Sequence, residues 1–221
     1  NQDVTYSVTP LSGNCAGTPF NVVVTVHPEP VALSHSVTVC NEEVLQINLN
    51  DDSTGAAIDH FDLVIDSNGL SASAGNPADG SYTSLSVVAD DAWTNETNDP
   101  VDVVYTVTPY SAAGCQGDPY TFTVTVTPKP TMNALTNIAV CDGDTVPVTT
   151  LTSSVTAVVL NWTSSNPDVG LSDTSGSNTI PTFTATNTTG AAIVSTITVT
   201  PSIVVNGNLT CSETSETFTI T

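Results

Sequence analysis

The sequence predicts an all-β fold built from tandem β-sandwich units strung into an extended rod. Three observations carry this. First, a block recurs with a period near one hundred residues: Val4-Thr5-Tyr6-Ser7-Val8-Thr9-Pro10 returns as Val103-Val104-Tyr105-Thr106-Val107-Thr108-Pro109 and again as Ser195-Thr196-Ile197-Thr198-Val199-Thr200-Pro201. A fixed period of this kind marks a repeat architecture. Second, apolar and polar residues alternate with period two after each block, the pattern of a half-buried strand. Third, no stretch keeps a helical period.

The elements follow in chain order. Residues 1–30 read as a hairpin. Phe20, Val22, Val24 and Val26 fall on one face, with Asn21, Val23 and Thr25 on the other. Pro28-Glu29-Pro30 then removes backbone donors and fixes φ, which ends the ladder and leaves a short stiff linker. Residues 31–130 read as a complete unit. Strands are expected at 36–40, 44–49, 61–65, 82–88, 101–108 and 120–127, with loops at 51–55, 69–80 and 90–99. Pro128-Lys129-Pro130 closes the unit as Pro28-Glu29-Pro30 closed the first. Residues 131–221 repeat the scheme: Cys141 to Trp162 is 21 residues, as is Cys40 to Phe61. The expected organisation is thus the closing hairpin of a truncated unit (1–30), a complete unit (31–130) and a unit cut in its last strand (131–221).

The charge balance is one-sided, 22 acidic residues against one Lys and no Arg, a net charge of −21. Nucleic-acid backbones and anionic membranes demand the opposite sign, so neither is an expected partner. No apolar run is long enough for a spanning helix, and no signal-peptide pattern is present. Fourteen of the carboxylates lie in residues 31–130. High like charge discourages strands of separate molecules from pairing.

Five cysteines fit the repeat. Cys40 and Cys141 stand near the start of a unit; Cys115 and Cys211 stand in its last turn, where Cys15 is the first-unit counterpart. The expected pairs are Cys40–Cys115 and Cys141–Cys211, with the partner of Cys15 upstream. The alternative, Cys15–Cys40 and Cys115–Cys141, also has constant spacing. Closing a loop of about 75 residues stabilises by about 4.5 kcal/mol on the chain-entropy estimate. Disulfides imply an oxidising, extracytoplasmic setting.

The run Ile180-Pro181-Thr182-Phe183-Thr184-Ala185-Thr186-Asn187 with Ile197-Thr198-Val199-Thr200-Pro201 resembles the PKD-like repeats of Bacteroidetes surface proteins. Val140-Cys141-Asp142-Gly143 and the Gly-Cys-x-Gly turn with its Pro-x-Pro ending resemble them too. The resemblance covers the whole chain, strongest in 131–221 and weaker in 31–130, where Phe61 replaces the Trp. It implies immunoglobulin-like sandwiches in giant adhesion or gliding proteins exported by the type IX secretion system. It carries over no catalytic residue, and the Trp-Asp-Phe-Gly-Asp core of true PKD domains is missing.

Two kinds of site are candidates. Asp90, Asp91, Glu96, Asp99 and Asp102, or Asp51 and Asp52 with Asp59, Asp62 and Asp66, supply the oxygen donors that Ca²⁺ requires, without an EF-hand spacing; solvated acidic loops are the plainer reading. Ser53 and Thr145 stand in Asp-Ser/Thr-x contexts used for O-glycosylation in that bacterial group. The Thr rows also suit an ice-binding face, although Thr is simply a good exposed strand residue. No nucleophile stands beside a base, no Cys/His cluster has metal spacing and no phosphate loop is present, so no enzyme is expected. The function expected is a rigid, disulfide-stabilised stalk of a large surface adhesin or filament, outside the cell, with neighbouring repeats as its partners. The alternatives are a glycan- or Ca²⁺-binding module in 31–130, and a filament subunit assembling with other adhesin copies by strand complementation.

Overall fold

The computed structural model describes residues 1–49, 53–75, 78–205 and 207–221. Among them every regular element is a β-strand apart from one 3-10 turn at Pro167–Val169. The chain is all-β, as the period-two alternation requires.

The opening hairpin pairs Gln2–Val8 with Phe20–Val26, antiparallel, with Val4 opposite Val24 and Val8 opposite Phe20. Every residue of both strands is exposed. The apolar row that alternation assigns to a core therefore meets no second layer.

The first five-stranded sheet runs in the order Gly80–Tyr82, Ile58–Asp66, Val101–Ser111, Tyr120–Val126, His35–Val39. All neighbours are antiparallel except the last pair, where His35–Val39 runs parallel to Tyr120–Val126. Val103, Tyr105, Val107, Phe122, Val124 and Val126 form its buried row. A second layer covers it. Leu45, Leu49, Val88 and Trp93 pack down onto that row, and Ala92–Thr94 pairs with Ser71–Ala74. The second layer differs from the sequence expectation. Residues 44–49 form no regular strand, yet the amides of Leu45, Gln46 and Leu49 donate to the carbonyls of Asp91, Ala89 and Leu85. The expected strand 82–88 is cut short at Tyr82, and residues 84–91 turn through successive i+3 hydrogen bonds, Ser84 to Val87, Ser86 to Ala89 and Val88 to Asp91. The expected acidic loop 90–99 contains the buried strand Ala92–Thr94.

The second sheet places Val158–Ser164 between Ser175–Ser177 and the 11-residue strand Ser195–Val205. That long strand pairs with Glu216–Ile220 along its first half and with Leu209–Ser212 along its last. Its core gathers Leu160, Trp162, Leu171, Ile180, Ile197, Val199, Phe218 and Ile220. Trp162 is a core anchor, with its indole N–H donating to the Thr179 carbonyl at 2.9 Å. Gly176 lies against that ring, where a Cβ would come within 2.8 Å of Cζ2.

The disulfide pairing differs from both expected sets. Cys40 is bonded to Cys211, with Cα atoms 5.4 Å apart. Cys15, Cys115 and Cys141 are free. The parallel pairing of His35–Val39 with Tyr120–Val126 is the reason. It sets Cys40 beside Thr127, whose amide donates to the Val39 carbonyl. Cys115 lies in the turn at the far end of Tyr120–Val126, and a seven-residue strand spans about 23 Å. A disulfide needs Cα atoms within about 7 Å. The parallel bridge of Ile138 to Ile220 likewise holds Cys141 at the end of Glu216–Ile220 away from Cys211.

Candidate functional site

The bond between Cys40 and Cys211 crosses from one core to the other, and a built junction surrounds it. Val155, Ile203 and Cys211 are buried together, with Cys40, Val158, Val205 and Leu209 packed on them. Thr127 Oγ1 donates to Cys211 Sγ at 3.4 Å. The Thr156 amide and hydroxyl both donate to the Asn98 carbonyl, at 2.9 and 3.1 Å. Lys129, the chain's single lysine, stands 3.6 Å from Glu213; a pair this exposed adds at most about 1 kcal/mol.

The surface under this junction is held by side-chain hydrogen bonds to backbone. Cys40 N–H donates to Glu43 Oε2 at 2.9 Å, and Asn95 N–H donates to Asn41 Oδ1 at 2.6 Å. Asn95 is fully buried. Its Oδ1 accepts from the amide and hydroxyl of Thr97, and its Nδ2 donates to the Asp99 and Val126 carbonyls. Each of these bonds replaces one to water, so the loop holds its shape without a core of its own. The Asn-x-Thr spacing is a signal that could have found this loop, which composition alone presents as acidic and solvated.

The expected calcium residues are not brought together. Asp51 and Asp52 lie outside the described residues. Asp91 is buried beneath Trp93, and its Oδ2 accepts from Tyr105 Oη at 3.2 Å. Trp93 Nε1 donates to the same phenol oxygen at 2.7 Å. Burial pushes the Asp91 carboxyl up to about 6, with the Tyr105 hydrogen bond opposing and the Asp90 charge adding. Burial likewise raises the Tyr105 phenol well above its ordinary value. Asp90, Glu96 and Asp99 are exposed. Asp102 Oδ1 accepts from Thr125 across the sheet at 2.6 Å. Asp59 pairs with His60, Asp62 accepts from Tyr110, and Asp66 accepts from the Asn68 amide. Among the described residues no three of His, Cys, Asp and Glu stand where they could hold a metal ion. Of the glycosylation candidates, Thr145 is exposed on a two-residue strand opposite Thr184, and Ser53 is half-buried.

Comparison with known proteins gives one family. The model of the PKD-like domain matches residues 1–30 and 37–130. The match omits 131–221, the part in which the sequence resemblance is strongest. No curated protein matches the chain. Among solved structures, the human protocadherin-24 EC1-2 fragment is 10% identical, with 89% of this chain and 98% of that chain covered and a TM-score of 0.38. The chicken CNTN1 FN1-FN3 domains are 6% identical, with 95% and 76% covered and a TM-score of 0.25. Neither carries an argument about this chain.

Proposed function

Since the chain belongs to the PKD-like domain family and its one disulfide spans two cores, we propose that it is a force-transmitting repeat segment of a large secreted adhesin or filament. In this reading the tandem units are a non-enzymatic stalk on a bacterial cell surface, exported as the Bacteroidetes resemblance implies, that holds a binding tip away from the cell. The disulfide supports an oxidising, extracytoplasmic location, and the net charge of −21 supports an extended molecule that resists bundling.

The single observation that carries the reading is the position of the bond. Tension applied at the ends passes through residues 1–40, across the sulfur atoms, and out through 211–221. Every strand of the two five-stranded sheets lies between Cys40 and Cys211 and is spared extension, except His35–Val39 and Glu216–Ile220, which are in the load path. One disulfide inside each unit, Cys40–Cys115 and Cys141–Cys211, would protect each core but leave the junction between them to stretch.

Single-molecule pulling from both ends tests this. At about 3.5 Å per residue, the oxidised chain releases about 180 Å of contour and the reduced chain about 770 Å. Release of the full contour without reductant would exclude the reading.

The bare hairpin 1–30 favours a second reading, a filament in which a neighbouring copy lays strands on that face. Concentration-dependent association in sedimentation, abolished by deleting residues 1–26, would support it.

A further inference from the structure

We propose that residues 139–142 and 185–193 form a second docking platform, which receives a further copy of the segment 131–221 and is sealed by a disulfide from Cys141 to that copy's hairpin cysteine. The inference rests on the repeat reading above, but its test is separate from the pulling measurement, which concerns Cys40–Cys211 alone.

One platform is already occupied within the chain, and the other repeats the hydrogen-bond plan around its cysteine, save the bond from Asn95 to the Val126 carbonyl. Around Cys40, Cys40 N–H donates to Glu43, Glu43 N–H to the Cys40 carbonyl, Glu42 N–H to the Trp93 carbonyl, and Asn95 N–H to Asn41. Around Cys141, Cys141 N–H donates to Asp144, Asp144 N–H to the Cys141 carbonyl, Gly143 N–H to the Ala185 carbonyl, and Asn187 N–H to Asp142. The loops repeat each other as well. Asn95 Oδ1 takes the Thr97 amide and hydroxyl at 3.0 and 2.7 Å, and Asn187 Oδ1 takes those of Thr189 at 2.9 and 2.8 Å. The single hydroxyl protons of Thr97 and Thr189 are shared with the Asp99 and Ala191 carbonyls, which also accept from the Asn95 and Asn187 side-chain amides.

The two platforms differ in what covers them. The first carries Val155, Thr156 and the cystine of the following segment. The second is open: Cys141 is exposed, and an open depression of about 540 Å³ is lined by Val140, Cys141, Asp142, Asn187, Thr189 and Ile220. A surface built to the same hydrogen-bond plan calls for the same occupant. The complementary half also recurs. Cys211 lies against Thr127, and Cys115 Sγ lies 3.9 Å from the His27 carbonyl, one period earlier. Cys115 thus presents the inserting half of the same link. In the bond-forming step the two thiols lose two protons and two electrons to a disulfide oxidant such as oxidised glutathione, which leaves as two thiols.

The test extends the chain after Thr221 with residues 126–221 again, in register because Thr221 corresponds to Thr125. The extended chain has seven cysteines, the five present plus the added copies of Cys141 and Cys211. After refolding with oxidised glutathione and alkylation, intact mass should show two disulfides and three modified thiols, against one disulfide in the original chain. Cys141→Ser in the first copy should abolish the second bond. Persistence of that bond in the Cys141→Ser chain means that the added cysteines pair with each other, and overturns the proposal. A second extension guards against a misfolded addition: residues 31–100 placed before Asn1 should bond their copy of Cys40 to Cys115. Free target thiols in both extensions overturn the proposal.

Discussion

Trp93 donates its indole N–H to the buried hydroxyl of Tyr105 at 2.7 Å, and that hydroxyl donates in turn to Asp91 at 3.2 Å. This chain of polar groups ties the covering layer to the first sheet inside an otherwise apolar core. Tyr105→Phe leaves the indole N–H and the carboxyl without partners in the interior. Leaving such groups unsatisfied costs about 1–3 kcal/mol each, so the variant should lose about 2–6 kcal/mol in urea unfolding.

The same carboxyl gives stability a pH dependence. Burial holds Asp91 up to about 6 in the folded chain, above its ordinary 3.8. The folded state therefore keeps this proton more tightly than the unfolded one. The stabilisation is complete below pH 3.8 and is lost as pH rises through about 6. The difference in Tm between the parent and Asp91→Asn should change across that window and be flat above it. An unchanging difference from pH 3.5 to 8 would contradict the burial.

Asn95→Ala removes the acceptor and donor that organise residues 95–99 under the junction. A loss of about 1–3 kcal/mol is expected from the buried partners stranded by the change. The matching Asn187→Ala acts on an uncovered loop and should cost less. Denaturant midpoints of the two variants compare them directly.

Val4, Tyr6 and Val8 occupy the sequence positions of Val103, Tyr105 and Val107. Tyr6 is 56% exposed where Tyr105 is fully buried. An isolated two-stranded hairpin is marginal in water. Amides of Phe20–Val26 should exchange with solvent much faster than those of Tyr120–Val126. Deleting residues 1–26 should move the main unfolding transition by less than about 0.5 kcal/mol.

The strands of the recurring hairpin were legible because their alternation is strict and long: Tyr120 to Val126 alternates without a fault, and the structure pairs it over its full length. Residues 84–91 were not. Leu85 and Val87 alternate over too few positions to separate a strand from a buried turn. Asp91 reads as a solvated acid because carboxylates are seldom buried, and only Trp93 two residues on hints at a covering strand. The cysteines show what a repeat does and does not disclose. Equal spacing identified Cys40 with Cys141 and Cys115 with Cys211 as equivalent positions. It could not say at which end of the sheet each lies, because that depends on the parallel pairing of His35–Val39 with Tyr120–Val126.

Reduction should bring out the same geometry in bulk. Closing a loop of 171 residues restrains the unfolded chain by up to about 5 kcal/mol. Cys40→Ser and Cys211→Ser should each lower stability to the level of the reduced parent, and the double variant should go no lower. Cys115→Ser should have little effect on the same unfolding curve.

Peptide mapping of the unreduced protein tests the central claim most directly. Trypsin is of no use, since the single lysine precedes Pro130; cleavage at aspartate and glutamate releases fragments around each cysteine. The account predicts one cross-linked species, joining the Cys40 fragment to the Cys211 fragment, with Cys15, Cys115 and Cys141 recovered as alkylated thiols. Fragments joining Cys40 to Cys115, or Cys141 to Cys211, would contradict it.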